Sequence, residues 1–173
     1  SLSTGTNLRF QDSATFTVSL WFNWASISGN TSSRQYLWEN RTSGGESYYV
    51  IVLDNVNHPT PALKAIMQGG SGEIRAESSL PSFNTWVNYV AVFKITAGTV
   101  TSYVNGIQVD TSTSTPKTGG SSGATAYLGT YFGTLSGGYK FDGDINNFKI
   151  YNRALTAEEV AENFNGIRSR FGI

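Results

Sequence analysis

The sequence predicts an all-β protein, a two-sheet antiparallel jelly-roll sandwich with one short C-terminal helix. Three observations predict this fold class. Apolar and polar residues alternate with the period of a half-buried strand in roughly ten short segments. Turn residues, mainly Gly, Asn and Pro, separate these segments at short intervals. A single segment near the C-terminus has the pattern of a helix, and it follows the last predicted strand.

The first half of the chain contains five predicted strands. The clearest covers residues 15–25, where one face carries five large apolar residues: Phe16, Val18, Leu20, Phe22 and Trp24. Shorter alternating segments predict strands at residues 35–39, 47–54, 63–67 and 73–78. Pairs of glycines predict hairpin turns near residues 44–45 and 69–72, and two prolines predict a loop over residues 55–61.

The second half contains five more predicted strands, at residues 86–95, 100–104, 107–110, 125–131 and 140–151. Asn105 and Gly106 predict a type I′ hairpin, because both residue types tolerate a positive φ. Residues 111–125 are rich in Ser, Thr and Gly. They are typical of a long mobile loop, or their first three residues extend the preceding strand.

The predicted helix follows the last strand. Thr156 is a good N-cap, and Glu159 three residues later completes a capping box. Val160 and Phe164 are four residues apart, so they share a face that we expect to be buried. Asn165 and Gly166 are expected to end the helix.

Composition limits the classes of function. The 173 residues suffice for one domain, 1–173, and the lack of an initiator Met indicates a processed product or a fragment of a longer chain. Twelve basic and 12 acidic residues balance, so electrostatic capture of nucleic acid or of an anionic membrane is not expected. No apolar run approaches the ~18 residues of a membrane span, so no membrane insertion is expected. With 0 Cys, disulfides and thiolate metal sites are excluded.

Three segments, taken in chain order, resemble a laminin G-like domain of the concanavalin A-like jelly-roll superfamily. They are residues 16–22, residues 86–92 with 103–106, and residues 141–160. The tail, residues 163–173, is similar to the endings of such domains in bacteriophage virion proteins. The resemblance implies a non-catalytic binding or structural module, a virion decoration or adhesion domain that contacts protein neighbours or host-surface glycans. It implies a location on the virion surface or outside the cell. The alternative is a calcium-assisted carbohydrate-binding module of a secreted bacterial protein.

The carboxylates do not form the pattern of an enzyme. Members of the superfamily that cleave glycans carry Glu-x-Asp-x-Glu on one strand, and this chain has no such run. Glu73 and Glu77 would share a face of the predicted strand, but at about 13 Å apart they are too distant for a retaining pair. With His58 as its single histidine, the chain offers little for a zinc site or a nucleophilic triad. We therefore predict no enzymatic activity.

Two groups of residues are candidate sites. Asp54 and Asn55 end a predicted strand and resemble the oxygen ligands that calcium uses at loop rims; equally, they simply terminate the strand. Calcium is therefore the one cofactor that the sequence leaves open, with Asp142 and Asp144 as further carboxylates. Five aromatic residues near predicted loop ends are candidate contacts for a glycan or a protein, although each could instead pack in the core: Trp38, Tyr48, Tyr49, Tyr131 and Tyr139.

Overall fold

The computed structural model describes residues 15–26, 34–41, 48–54, 61–69, 72–115, 125–131 and 139–173. In these residues ten strands are followed by one α-helix and a short 3-10 helix. Their bounds are β1 (Thr15–Trp24), β2 (Arg34–Arg41), β3 (Tyr48–Asp54), β4 (Ala62–Gly69), β5 (Gly72–Ser78), β6 (Trp86–Lys94), β7 (Thr99–Val104), β8 (Ile107–Thr113), β9 (Thr125–Leu128), β10 (Gly143–Tyr151), α1 (Ala157–Asn165) and the 3-10 helix (Arg168–Phe171).

The strands form two five-stranded sheets. The first sheet has the order β10-β1-β6-β7-β8, and the second has the order β5-β4-β3-β2-β9. All neighbouring strands within the two sheets pair antiparallel. The predicted two-sheet jelly-roll sandwich is confirmed. No helix in the described ranges is both long and apolar enough to cross a membrane.

The main core lies between the two sheets. It contains the predicted apolar face of β1, because alternate side chains of a strand point to one side. The Phe16 ring of β1 stacks on Phe93 of β6, with ring centroids 4.7 Å apart. The same ring meets the edge of Tyr49, from the second sheet, at 5.0 Å. Aromatic packing therefore joins the two sheets directly.

The C-terminal segment covers the outer face of the first sheet, the face that points away from the second sheet. Thr156 and Glu159 form the predicted capping box, and α1 buries Val160. The Trp21 ring, from β1, stacks on Phe164 at 5.7 Å and on Phe171 at 3.9 Å. The tail thus packs on the outer face of its own sheet.

The predicted Asn105-Gly106 turn forms, whereas the ends of several strands differ from the prediction. Asn105 and Gly106 both have positive φ, 49° and 80°, as a type I′ hairpin requires. Strand β8 continues to Thr113, so the start of the Ser/Thr-rich segment extends the strand. Strand β10 begins at Gly143 instead of residue 140, and β9 ends at Leu128 instead of residue 131. Ladder pairing, which local patterns do not determine, sets these ends.

Candidate functional site

The outer face of the second sheet carries a second apolar cluster. Tyr36, Val50, Val52 and Ile66 are buried there, and Tyr131 packs against them. Their neighbours along the same strands point to the main core, as alternation requires. Because this face points away from the first sheet, its side chains take no part in the packing between the two sheets.

Three tyrosines meet at the β2 side of this face, and we call them the tyrosine cluster: Tyr36, Tyr131 and Tyr139. The centroid distances are 4.9 Å between Tyr36 and Tyr131, 5.1 Å between Tyr131 and Tyr139, and 6.0 Å between Tyr36 and Tyr139. Backbone pairing holds the segments together, because the Tyr36 amide donates a hydrogen bond to the Tyr139 carbonyl at 3.3 Å. Tyr36 also forms a parallel bridge with Lys140.

Exposure increases across the tyrosine cluster. Tyr36 is 5 % exposed, Tyr131 is half-buried, and Tyr139 is 40 % exposed. Burial raises the pKa of the Tyr36 hydroxyl above its usual value, although Arg34 acts in the opposite direction. Tyr36 therefore stays protonated at neutral pH. The aromatic rings of the cluster are therefore buried at Tyr36 and open to water at Tyr139.

Two arginines lie beside the tyrosine cluster. The Arg41 guanidinium lies 5.1 Å from the centroid of the Tyr131 ring, within cation–π range. Its Nε atom lies 3.4 Å from a carboxylate oxygen of Glu39. Arg34 lies close enough to the Tyr36 hydroxyl to lower its pKa, against the effect of burial. Aromatic rings and cations thus lie together at one side of the face.

Asp54, a predicted calcium ligand, is part of a buried ion-pair network on this face. One oxygen of its carboxylate lies 3.2 Å from Arg34 Nε and 3.2 Å from Lys64 Nζ. Lys64 also lies 3.7 Å from Glu77. Asn55, its predicted co-ligand, lies outside the described residues, and no group of three or more metal-ligating side chains occurs in the described ones. The calcium site stays a prediction, and the two cations beside Asp54 weigh against it.

Asp142 and Asp144, the other carboxylates considered for calcium, lie away from Asp54, at the place where β10 pairs with β1. Asp142 accepts a hydrogen bond from the Ser26 hydroxyl at 2.8 Å, and its amide donates to Gln35 at 2.9 Å. Asp144 lies in β10, opposite Asn23 of β1. These contacts tie β1, β2 and β10 together, so Asp142 has a structural role that the sequence did not predict.

Two predicted ligand-binding aromatics, Trp38 and Tyr49, are in the main core, which agrees with the alternative of core packing and not with contact to a ligand. Trp38 is 1 % exposed and Tyr49 is 7 % exposed, and both rings pack against Phe16. A ring enclosed by its neighbours has no face for a ligand. The backbone of Tyr48 pairs with Arg41, but its side chain lies outside the described part of the chain.

Sequence reasoning missed Tyr36, the buried anchor of the cluster. Strict alternation along β2 would place Tyr36 and Trp38 on the same face. The ladder shifts register between these two residues, so Leu37 and Trp38 both belong to the main core and Tyr36 points outward. No local pattern in the sequence indicates this bulge, because it results from pairing with β3.

The two carboxylates considered for catalysis lie on edge strand β5, each beside a base. Glu73 accepts a hydrogen bond from Arg75 Nε at 2.7 Å, and Glu77 is the acid near Lys64. The Glu77 amide donates to Asp110 of β8 at 2.8 Å, which links the edges of the two sheets. These contacts explain the acidic residues as parts of the sandwich edge.

An open cleft lies between the β5 and β8 edges. Its volume is about 610 Å³, and its lining is mostly small and apolar, with one acid: Pro61, Ala62, Glu77, Ser78, Ser79, Val104 and Val109. Among the described residues that line it, none has an aromatic ring that could stack on a ligand. The tyrosine cluster is therefore the better candidate site.

Comparison with known proteins identifies the fold. A family model described as the concanavalin A-like lectin/glucanases superfamily matches residues 1–161. No curated protein sequence matches the chain.

Three solved structures with this fold are informative. One is the carbohydrate-binding module CBM40 of the Ruminococcus gnavus IT-sialidase bound to α2,3 sialyllactose, with 12% identity, a TM-score of 0.66, and coverage of 89% of this chain and 84% of that one. Domain 4 of AbnA, an extracellular arabinanase from Geobacillus stearothermophilus, in complex with arabinotriose, has 20% identity and a TM-score of 0.64, with coverage of 87% and 66%. A pentraxin from Limulus polyphemus has 16% identity and a TM-score of 0.63, with coverage of 86% and 69%. The chain thus spans about two thirds of the latter two structures.

Proposed function

The chain belongs to the concanavalin A-like lectin/glucanases superfamily, and from this premise we propose that it is a non-catalytic module that binds a glycan at the tyrosine cluster. The graded exposure of the cluster is the observation that carries the proposal. A tyrosine ring offers an apolar face to the apolar face of a sugar while its hydroxyl remains in water. Two structures with the same fold are complexes with saccharides, which supports this ligand class.

The geometry favours binding over catalysis. Glu73 and Glu77 lie on the β5 side of the face with Arg75 and Lys64 beside them, whereas the tyrosine cluster lies on the β2 and β9 side. A bound sugar on the cluster would contact rings and cations. We therefore propose that the module holds its ligand without cleaving it, outside the cell or on a virion surface.

A glycan array with two variants tests the proposed site. Tyr139→Ala removes the exposed ring of the cluster, and we expect about tenfold weaker binding, since a ring anchor contributes more than ~1 kcal/mol. Phe83→Ala is the matched control, because Phe83 is 45 % exposed and packs on Trp24 outside the cluster. It should leave affinity unchanged. An array without hits would refute the glycan proposal. Equal affinity of the two variants would show that the tyrosine cluster is not the binding site.

A second candidate function is contact with protein neighbours in an assembly. Ile107 is 71 % exposed and Val109 is 43 % exposed on β8, an edge strand of the first sheet. Apolar edge strands are favourable sites for pairing with another chain. Ile107→Lys should abolish such an association in sedimentation experiments with the assembly partner while leaving glycan binding intact. Unchanged association would exclude the β8 edge.

A further inference from the structure

We propose that the tyrosine cluster holds a single sugar residue, so that the module binds short soluble saccharides and not the flat surface of an insoluble polysaccharide. This inference rests on the proposed glycan function and adds the class of glycan that fits the cluster. The observations behind it are the tilt of the three rings, their contacts with one another and their exposure.

The three rings of the tyrosine cluster do not share a plane. The plane of Tyr131 is inclined by 46° to that of Tyr36 and by 45° to that of Tyr139. The planes of Tyr36 and Tyr139 are inclined by 75° to each other. A flat ligand surface makes full contact only with rings that lie in one plane, because dispersion attraction falls steeply when a gap opens. The cluster therefore does not match the flat face of a crystalline polysaccharide.

The rings also lie too close together for each to stack on a sugar residue of its own. The centroid of Tyr131 lies 4.9 Å from that of Tyr36 and 5.1 Å from that of Tyr139, which is the separation of rings in direct contact. The Arg41 guanidinium lies 5.1 Å from the same centroid. Tyr131 thus has three side chains around its ring, and they leave little of it for a separate sugar residue.

Exposure selects Tyr139 as the ring on which a sugar residue stacks. Tyr139 is 40 % exposed, whereas Tyr131 is half-buried and Tyr36 is 5 % exposed. One tyrosine ring covers about one sugar ring, with the apolar faces in contact and the hydroxyls in water. The residues that follow in a longer saccharide meet no further open ring of the cluster. One sugar residue therefore carries the stacking contact at every chain length.

Affinity as a function of chain length tests this inference. The probes are an array that carries glucose, galactose, mannose, N-acetylglucosamine, xylose, arabinose and sialic acid, each as a series from monosaccharide to hexasaccharide, and insoluble cellulose and chitin in a pull-down. In a series that binds, affinity should change by less than about threefold beyond the disaccharide, because longer chains gain no second contact that would add avidity. Cellulose and chitin should not retain the protein.

Tyr139→Ala should lower the affinity by about the same factor, roughly tenfold, at every chain length. Phe83→Ala, which removes an exposed ring outside the cluster, is the control and should leave affinity unchanged. Affinity that rises with each added residue, a loss in Tyr139→Ala that is confined to longer saccharides, or retention on cellulose or chitin would overturn the inference and leave the glycan proposal standing. Absence of binding to every series and to both insoluble polysaccharides would overturn both.

Discussion

Neutralising Asp54 distinguishes a buried ion-pair partner from a metal ligand. In the structure its carboxylate lies between Arg34 and Lys64, with 3.2 Å to each. Asp54→Asn preserves the shape of the side chain and removes its charge. If Asp54 stabilises the fold through its ion pairs, the variant should be less stable than the wild type even in the presence of a metal chelator. If it is a calcium ligand, the loss should appear only when calcium is present.

The expected loss is about 3 kcal/mol. Breaking a buried ion pair by removing one partner costs roughly 3–5 kcal/mol, because the remaining charge stays buried. The Lys64 side chain is 0% exposed, so it keeps this penalty, but Glu77 at 3.7 Å remains as a second acid. Arg34 is partly exposed and can be hydrated. We therefore expect a loss of stability at the lower end of this range, about 3 kcal/mol. It corresponds to a fall in Tm of about 6–12 °C at ~2–4 °C per kcal/mol.

Urea unfolding followed by tryptophan fluorescence, in EDTA and again in millimolar calcium, measures this loss. Glu73→Gln is the matched control, because Glu73 pairs with Arg75 on the same face but both side chains are partly exposed, at 20% and 32%. Such a pair contributes ~0–1 kcal/mol. If Asp54→Asn in EDTA loses no more than Glu73→Gln, the ion-pair reasoning is refuted. Calcium that stabilises the wild type and not Asp54→Asn would establish the metal site.

Two further predictions concern single contacts elsewhere. The hydrogen bond from Arg153 lowers the pKa of Glu159 from 4.5 to about 2, so its stabilising effect is complete above pH 4.5 and disappears as pH falls toward 2. Thermal melts of wild type and Glu159→Gln should converge over that window, and a pH-independent difference would contradict the assignment. Gly143→Ala should destabilise far more than Gly72→Ala in urea unfolding. Both glycines have positive φ, 151° and 144°, but an added Cβ would overlap the Asn23 carbonyl at Gly143, whereas at Gly72 it meets none of the described residues within 4 Å. Equal losses would show that backbone strain alone decides.

Much of the fold could be predicted because its signals are local. Alternation identified all ten strands of the described residues, and the Thr156–Glu159 capping box identified α1. The Asn105-Gly106 turn has the backbone that its residue types favour. The 3-10 helix at Arg168–Phe171 was not predicted, because its stability depends on the stacking of Phe171 on Trp21, far away in the sequence.

The candidate site could be predicted only in part. Tyr131 and Tyr139 were identified as aromatics near loop ends, and the structure brings them together with Tyr36. Their contact with a ligand stays a prediction. Trp38 was a candidate contact near a loop end with the core as the alternative, and its burial agrees with the alternative; position near the end of a strand does not reveal which face a side chain occupies once the register shifts.

The sequence by itself determined the sandwich, because strand periodicity, turn chemistry and helix capping act over a few neighbouring residues. Only the tertiary structure decided the outer face of the second sheet. A bulge in β2 turned Tyr36 outward and Trp38 inward, and the packing of β2, β3 and β4 placed Asp54 between two bases. The same packing buried Asp54 and Glu39 and left Arg34 and Arg41 nearer the surface. These outcomes depend on contacts between segments that are distant in the sequence. Composition does not reveal them, because the basic and acidic residues are equal in number.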